Sequence, residues 1–155
     1  MVSASFAQSS DTSTYYYNRG LDEKNARRYR EAEKNFNKSF QLDPKNLDNL
    51  LQLASTLMEQ HRYAEAKEKY HKAEVIDPNN KLVVENLATL SFNMRKWEDV
   101  IRYVQKMQQL KIGKGADFLM AQSYYELENY GEAIKYCELA VKEDAKNAQI
   151  YYIAG

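Results

Sequence analysis

The chain has 155 residues, enough for one domain with a core. Its 22 Lys and Arg balance its 22 Asp and Glu, which excludes a bulk attraction to nucleic acid or to an anionic membrane. No apolar run approaches the ~20 residues that span a bilayer, and the single cysteine, Cys137, excludes an internal disulfide and a multi-cysteine zinc site.

Gly (5) and Pro (2) are scarce, while Ala, Leu, Glu, Lys and Gln are plentiful, a composition that favours helix over sheet. Residues 1–12, MVSASFAQSSDT, are small and polar without helical periodicity, and they read as a flexible N-terminal tail. Ser5-Phe6-Ala7 ahead of Gln8 has the small-x-small form of the end of an export signal, but no basic or apolar stretch stands before it. A plain tail and the remnant of a signal peptide both fit. Localisation is therefore open between the cytoplasm and an exported, periplasmic setting. One lone thiol is compatible with export.

From Ser13 onward a period appears. Leu47–Asn80 is 34 residues long and ends in Asp77-Pro78-Asn79-Asn80, much as the preceding stretch ends in Asp43-Pro44-Lys45-Asn46. Stepping by this length gives units over 13–46, 47–80, 81–113 (one residue shorter) and 114–147, with the start of a fifth over 148–155. Five columns confirm the register. They read Gly20, Ala54, Ala88, Ala121; Tyr29, Tyr63, Trp97, Tyr130; Ala32, Ala66, Val100, Ala133; Phe36, Tyr70, Val104, Cys137; and Ser39, Ala73, Met107, Ala140.

Each unit reads as two helices and a turn. In the second unit Leu50, Leu53, Leu57 and Met58 recur at helical spacing, as do Tyr63, Ala66, Tyr70 and Ala73. The polar Glu59-Gln60-His61-Arg62 lies between them as a tight connection. Small residues in two columns let helices approach closely, and the aromatic that opens each second helix fills the gap beside the first. Pro44 and Pro78 follow second helices, where a helix must stop. Asn46 and Asn80 are placed to cap the helices that follow them. Ile112 and Ala145 replace the proline in the last two units, and Arg19 and Asp117 stand where large apolar residues are expected. The residue missing from the third unit falls beside Gly113-Lys114-Gly115, so a looser joint is expected there.

Reactive groups do not converge. His61 falls in a turn and His71 on the outward side of a second helix, with no partner motif for either. Cys137 occupies a core column, as a buried structural thiol does. No nucleophile elbow, phosphate-cradling glycine loop or metal-ligand spacing occurs. The expectation is a protein without catalytic site, cofactor or metal. The basic run Arg27, Arg28, Arg30, Lys34, Lys38 reads as a solvated face. Net charge alternates in sign from unit to unit, which dilutes any continuous track for a phosphate backbone, so nucleic acid is not expected as a partner.

A 34-residue helix–turn–helix period with these small and aromatic columns resembles the tetratricopeptide repeat (TPR) family, over about nine-tenths of the chain. The resemblance implies an all-α, right-handed superhelical solenoid of antiparallel helix pairs, four repeats plus the start of a fifth. It implies a non-catalytic scaffold for protein–protein interaction, whose first helices line a concave groove for an extended or helical peptide. The groove columns give Tyr17 and Leu21, with Lys24, from the first unit, and Leu51, Ser55 and Met58 from the second. They give Leu82, Glu85 and Phe92 from the third, and Phe118, Gln122 and Tyr125 from the fourth. This lining is rich in aromatic and aliphatic groups, and exposed apolar patches mark partners. The plainer reading is packing, above all for Phe118, which can stand in for Asp117 in the core, and for the Tyr15-Tyr16-Tyr17 run. The basic carboxylate clamp of chaperone-binding members is absent: its columns hold Tyr17, Leu21, Gln52, Leu82 and Asn86. Ile150, Tyr151 and Ile153 would cover the fourth unit with nothing covering them. Three further readings follow: a piece of a longer protein, a homo-oligomer joined through that end, or a regulatory or anchoring domain.

Overall fold

The computed structural model describes the backbone over 2–113 and 116–143, and side chains over 11–113 and 116–142. Among the described residues there are eight helices and no strand: α1 (Val2–Asn25), α2 (Tyr29–Leu42), α3 (Leu47–Glu59), α4 (Tyr63–Ile76), α5 (Lys81–Asn93), α6 (Trp97–Gln109), α7 (Ala116–Glu126) and α8 (Tyr130–Glu143). They fall into two compact units, Met1–Pro78 and Asn79–Gly155. The all-α, helix-pair architecture expected from the sequence is present. One difference lies at the start. Where a flexible tail was expected over 1–12, α1 has helical backbone from Val2. No proline or glycine interrupts the chain before Gly20, and a helix already nucleated by packing at Ser13 propagates cheaply.

In the first unit α1 packs on α2, α2 on α3 and α3 on α4. The core is the expected one: Ala32 and Phe36, then Leu50, Leu53, Ala54 and Leu57, then Ala66, Tyr70 and Ala73. A buried polar clasp joins three helices. Ser13 Oγ donates to Ser39 O (3.1 Å), Ser39 Oγ donates to Ser13 O (2.8 Å), and the Asn49 amide lies 2.5 Å from Ser39 Oγ. In the second unit Val83, Val84, Leu87, Ala88 and Leu90 of α5 join Val100, Tyr103, Val104 and Met107 of α6 in the core. Met120, Ala121, Ala133, Cys137 and Ala140 extend it through α7 and α8.

The helix ends explain the period. Asn46 accepts from Asn49 N (3.0 Å) and Asn80 from Val83 N (3.2 Å), so both asparagines cap as expected. Each helix pair is joined by a turn whose left-handed residue is not glycine. These are Arg27 (φ 58°), His61 (57°), Arg95 (54°) and Glu128 (59°), in steps of 34, 34 and 33 residues. The same two backbone bonds close each turn, as in Arg27 N to Lys24 O (2.9 Å) and Arg28 N to Glu23 O (2.8 Å).

Second helices end in two ways. α2 and α4 stop at extended Asp43 (φ −136°) and Asp77 (φ −139°), because the proline that follows disfavours helical backbone before it. α6 has Ile112 in place of that proline. It closes instead through left-handed Lys111 (φ 53°), with Ile112 N donating to Met107 O (3.0 Å). Gly113 follows at φ 93° with Met107 Cε packed where a Cβ would stand. Lys114 and Gly115 of the expected looser joint lie outside the described residues, as do 148–155 of the fifth unit and the Ile150–Ile153 end.

Candidate functional site

In the first unit the groove columns form two facing stripes. Tyr17, Leu21 and Lys24 recur at i, i+4 and i+7 along α1, and Leu51, Ser55 and Met58 do so along α3. Polar bonds tie the stripes together. Lys24 Nζ donates to Gln52 Oε1 (2.9 Å) and to Ser55 Oγ (2.5 Å).

This junction corrects two expectations. Leu51, expected to face a partner, is only 6% exposed, on a helix that α1 meets. Ser55 is already engaged, accepting from Lys24 and donating to Gln52 O (3.1 Å). Leu21 and Met58 stay half-buried. Tyr17 is half-buried with its ring 5.9 Å from that of Phe36.

The junction has its own electrostatics. Burial lowers the Lys24 pKa below the usual ammonium value, and the Glu59 carboxylate opposes this. Burial and then the Asp48 carboxylate raise the Tyr17 pKa, against a lowering effect of the Gln52 side chain. The sequence places Lys24 in a groove column but does not pair it with Gln52: that contact exists only because two helices bring the residues together.

In the second unit the columns divide more sharply. Leu82 of α5 is 51% exposed and Tyr125 of α7 is 38% exposed. The Tyr125 ring meets Tyr130 edge-on at 5.8 Å. Glu85 is half-buried. Gln122 Nε2 donates to Glu126 Oε1 (2.7 Å), a bond within α7. Phe92 packs edge-on against Trp97 at 5.6 Å and so joins α5 to α6. Phe118 packs on the buried cluster of Ala121, Cys137 and Ala140, with Tyr136 and Val141. The plainer reading therefore holds for Phe118: with Asp117 in the column that should fill the core, its neighbour supplies the apolar volume.

Side chains with reactive potential are otherwise engaged. His61 Nδ1 lies 2.8 Å from the Tyr63 hydroxyl, and His71 Nδ1 lies 3.2 Å from Glu74 Oε2. Cys137 is buried, and that burial pushes its thiol pKa up, away from the reactive thiolate. Among the described residues no three His, Cys, Asp or Glu side chains gather as metal ligands. Nor, among those residues, is any helix long and apolar enough to cross a membrane.

Two family models, both described as tetratricopeptide repeat, match residues 25–83 and 118–147, together more than half of the chain. The chain belongs to the tetratricopeptide repeat family. TPR proteins are, as a family, protein-interaction scaffolds. Among solved structures the chain is similar to MamA protein, at 21% identity over 93% of this chain and 79% of that one, with a TM-score of 0.85. It is similar to MamA from Desulfovibrio magneticus RS-1 at 14% identity, 93% and 82% coverage and a TM-score of 0.86. YrrB, described as a TPR protein with an unusual peptide-binding site, matches at 18% identity over 90% of this chain and 72% of its own, with a TM-score of 0.78. At these identities the likeness concerns the TPR fold alone. None of the curated proteins compared matches the chain.

Proposed function

We propose that this TPR chain is a non-catalytic scaffold that binds an extended or helical segment of another protein along the groove columns of its first helices. The observation that carries the reading is what remains of those columns after helix packing. Leu82 and Tyr125 keep much of their apolar surface in solvent, and Tyr17, Leu21 and Met58 are only half-buried. A helix pair gains nothing from leaving such groups outside, whereas a partner gains area from tyrosine at small entropic cost and from methionine that adapts its shape. The peptide-binding role given for YrrB, on the same fold, supports the reading. Relative to the full column set, the partner-facing group shrinks to Tyr17, Leu21, Met58, Leu82, Glu85, Gln122 and Tyr125.

The test is selection of peptides displayed against the purified chain, followed by titration of the winners. Met58→Ala with Leu82→Ala and Tyr125→Ala is expected to weaken them by about tenfold or more. Ile134→Ser, an exposed apolar position outside the columns, is expected to leave them unchanged. Winners insensitive to the triple variant would overturn the groove reading.

A further inference from the structure

The opposite charge chemistry sits elsewhere in the first unit. Two adjoining recesses, of about 520 and about 490 Å³, open beside α2 and share Arg30 and Gln60. The first is walled by Arg27, Arg28 and Tyr29, the second by Lys34 and Arg62. In the sequence this run reads as a solvated face, with every cation equally free. The pairing is uneven instead. Arg28 is paired with Glu23, Lys34 bonds Glu31 (2.8 Å), and Arg62 reaches both Glu33 (2.5 Å) and Glu65 (2.6 Å). Arg27 and Arg30 have no carboxylate partner among the described residues. Both are exposed. Arg27 is held on the left-handed turn by its backbone bond to Lys24 O, and Arg30 lies in the first turn of α2. Two unpaired guanidinium forks thus border one recess, with the Tyr29 ring as a wall.

We infer that this face is a second docking site, which takes an acidic segment of a partner protein through Arg27 and Arg30. The guanidinium fork fits a carboxylate or a phosphorylated side chain in the same two-bond geometry. Glu31 and Glu33 stand on the rims of the recesses. Their charges oppose a continuous row of phosphates or a flat anionic bilayer, but they leave room for separated anionic side chains, one in each recess, with Arg30 shared. The site is independent of the groove columns, none of which lines either recess.

Fluorescence anisotropy with labelled hexaglutamate, against the intact chain at low and high salt, tests this. Binding that weakens as salt rises is expected. Arg27→Gln with Arg30→Gln is expected to weaken it by about tenfold, since two charge-assisted contacts are lost at exposed positions that do not hold the fold. Lys81→Gln with Arg95→Gln makes the same charge change in the second unit and is expected to have little effect. Met58→Ala with Tyr125→Ala is also expected to leave hexaglutamate binding intact, which separates this site from the groove. A triply phosphorylated serine peptide, of about equal charge, is the competing arm: the glutamate peptide is expected to bind at least as tightly, and arginine-dependent binding of the phosphopeptide alone would overturn the acidic-segment reading. Equal loss from the control pair, tighter binding of a single-stranded oligonucleotide or of phosphatidylserine vesicles, or no binding at low salt would each overturn it.

Discussion

Gly20 of α1 faces Phe36 of α2 so closely that a Cβ on Gly20 would stand 2.6 Å from Cε1 and 2.7 Å from Cδ1 of the ring. The same column holds alanine in the other three units, so glycine here answers to its local partner. Phe36 is fully buried, and its rigid ring cannot fold aside as a flexible chain end could. Gly20→Ala has two opposed effects. Helix propensity gains about 1 kcal/mol. Overpacking a closed core costs about 1–3 kcal/mol. The second wins, and urea unfolding is expected to show a net loss of about 1 kcal/mol. In a Phe36→Leu background the clash is gone, and the same Gly20→Ala change should stabilise. A stabilising Gly20→Ala in the parent chain contradicts this contact.

The inter-helix turns offer a test of opposite sign. Arg95 sits at φ 54° and is exposed, so its left-handed backbone costs roughly 1–2 kcal/mol, with no side-chain bond among the described residues in return. Glycine loses more freedom on folding, by about 0.5–1 kcal/mol, but adopts this conformation without strain. Arg95→Gly is expected to raise stability by about 0.5 kcal/mol. Gly113→Ala is expected to lower it by about 1 kcal/mol or more, since φ is 93° and the new methyl would meet Met107 Cε. Thermal unfolding of the two variants side by side checks the pair, and equal shifts in the same direction would count against both assignments.

Much of the fold was legible because the core columns of small and aromatic residues repeat. Ala54, Ala66, Tyr70 and Ala73 lie buried as the pattern requires, and the Asn-capped starts and Asp-Pro ends fall where expected. The left-handed turn residues were not legible, since Arg27, His61, Arg95 and Glu128 share no side-chain chemistry that marks the conformation. The candidate site was read only in part. A groove column records which way a residue points, but not whether a neighbouring helix already occupies that direction. Leu51 is buried within the first unit, Phe92 is engaged by Trp97, and Phe118 packs against the buried cluster around Cys137. The unpaired state of Arg27 and Arg30 was equally hidden. It depends on Glu23, Glu31 and Glu33 choosing other cations, which no linear spacing states.

The Tyr70 hydroxyl is buried without a hydrogen-bond partner among the described residues, in a column where the first unit carries Phe36. An unpaired buried hydroxyl costs about 1–3 kcal/mol, so Tyr70→Phe is expected to stabilise the chain by about 1 kcal/mol at neutral pH, after some loss of packing. The effect should grow with alkali. Burial raises the Tyr70 pKa well above the ordinary tyrosine value. Below about pH 10 the phenol is protonated in both folded and unfolded chains, and stability does not depend on it. Above that pH the unfolded chain releases the proton while the folded chain retains it, so folding weakens by up to about 1.4 kcal/mol per pH unit. Urea midpoints of the parent and of Tyr70→Phe, taken at pH 8 and again above pH 10, should separate further at the higher pH. Tyr17 and Tyr124, whose pKa values burial also raises, leave a smaller alkaline slope in the variant. A gap between the two proteins that stays constant across this range would show that Tyr70 ionises freely, and that its hydroxyl reaches solvent in the folded chain.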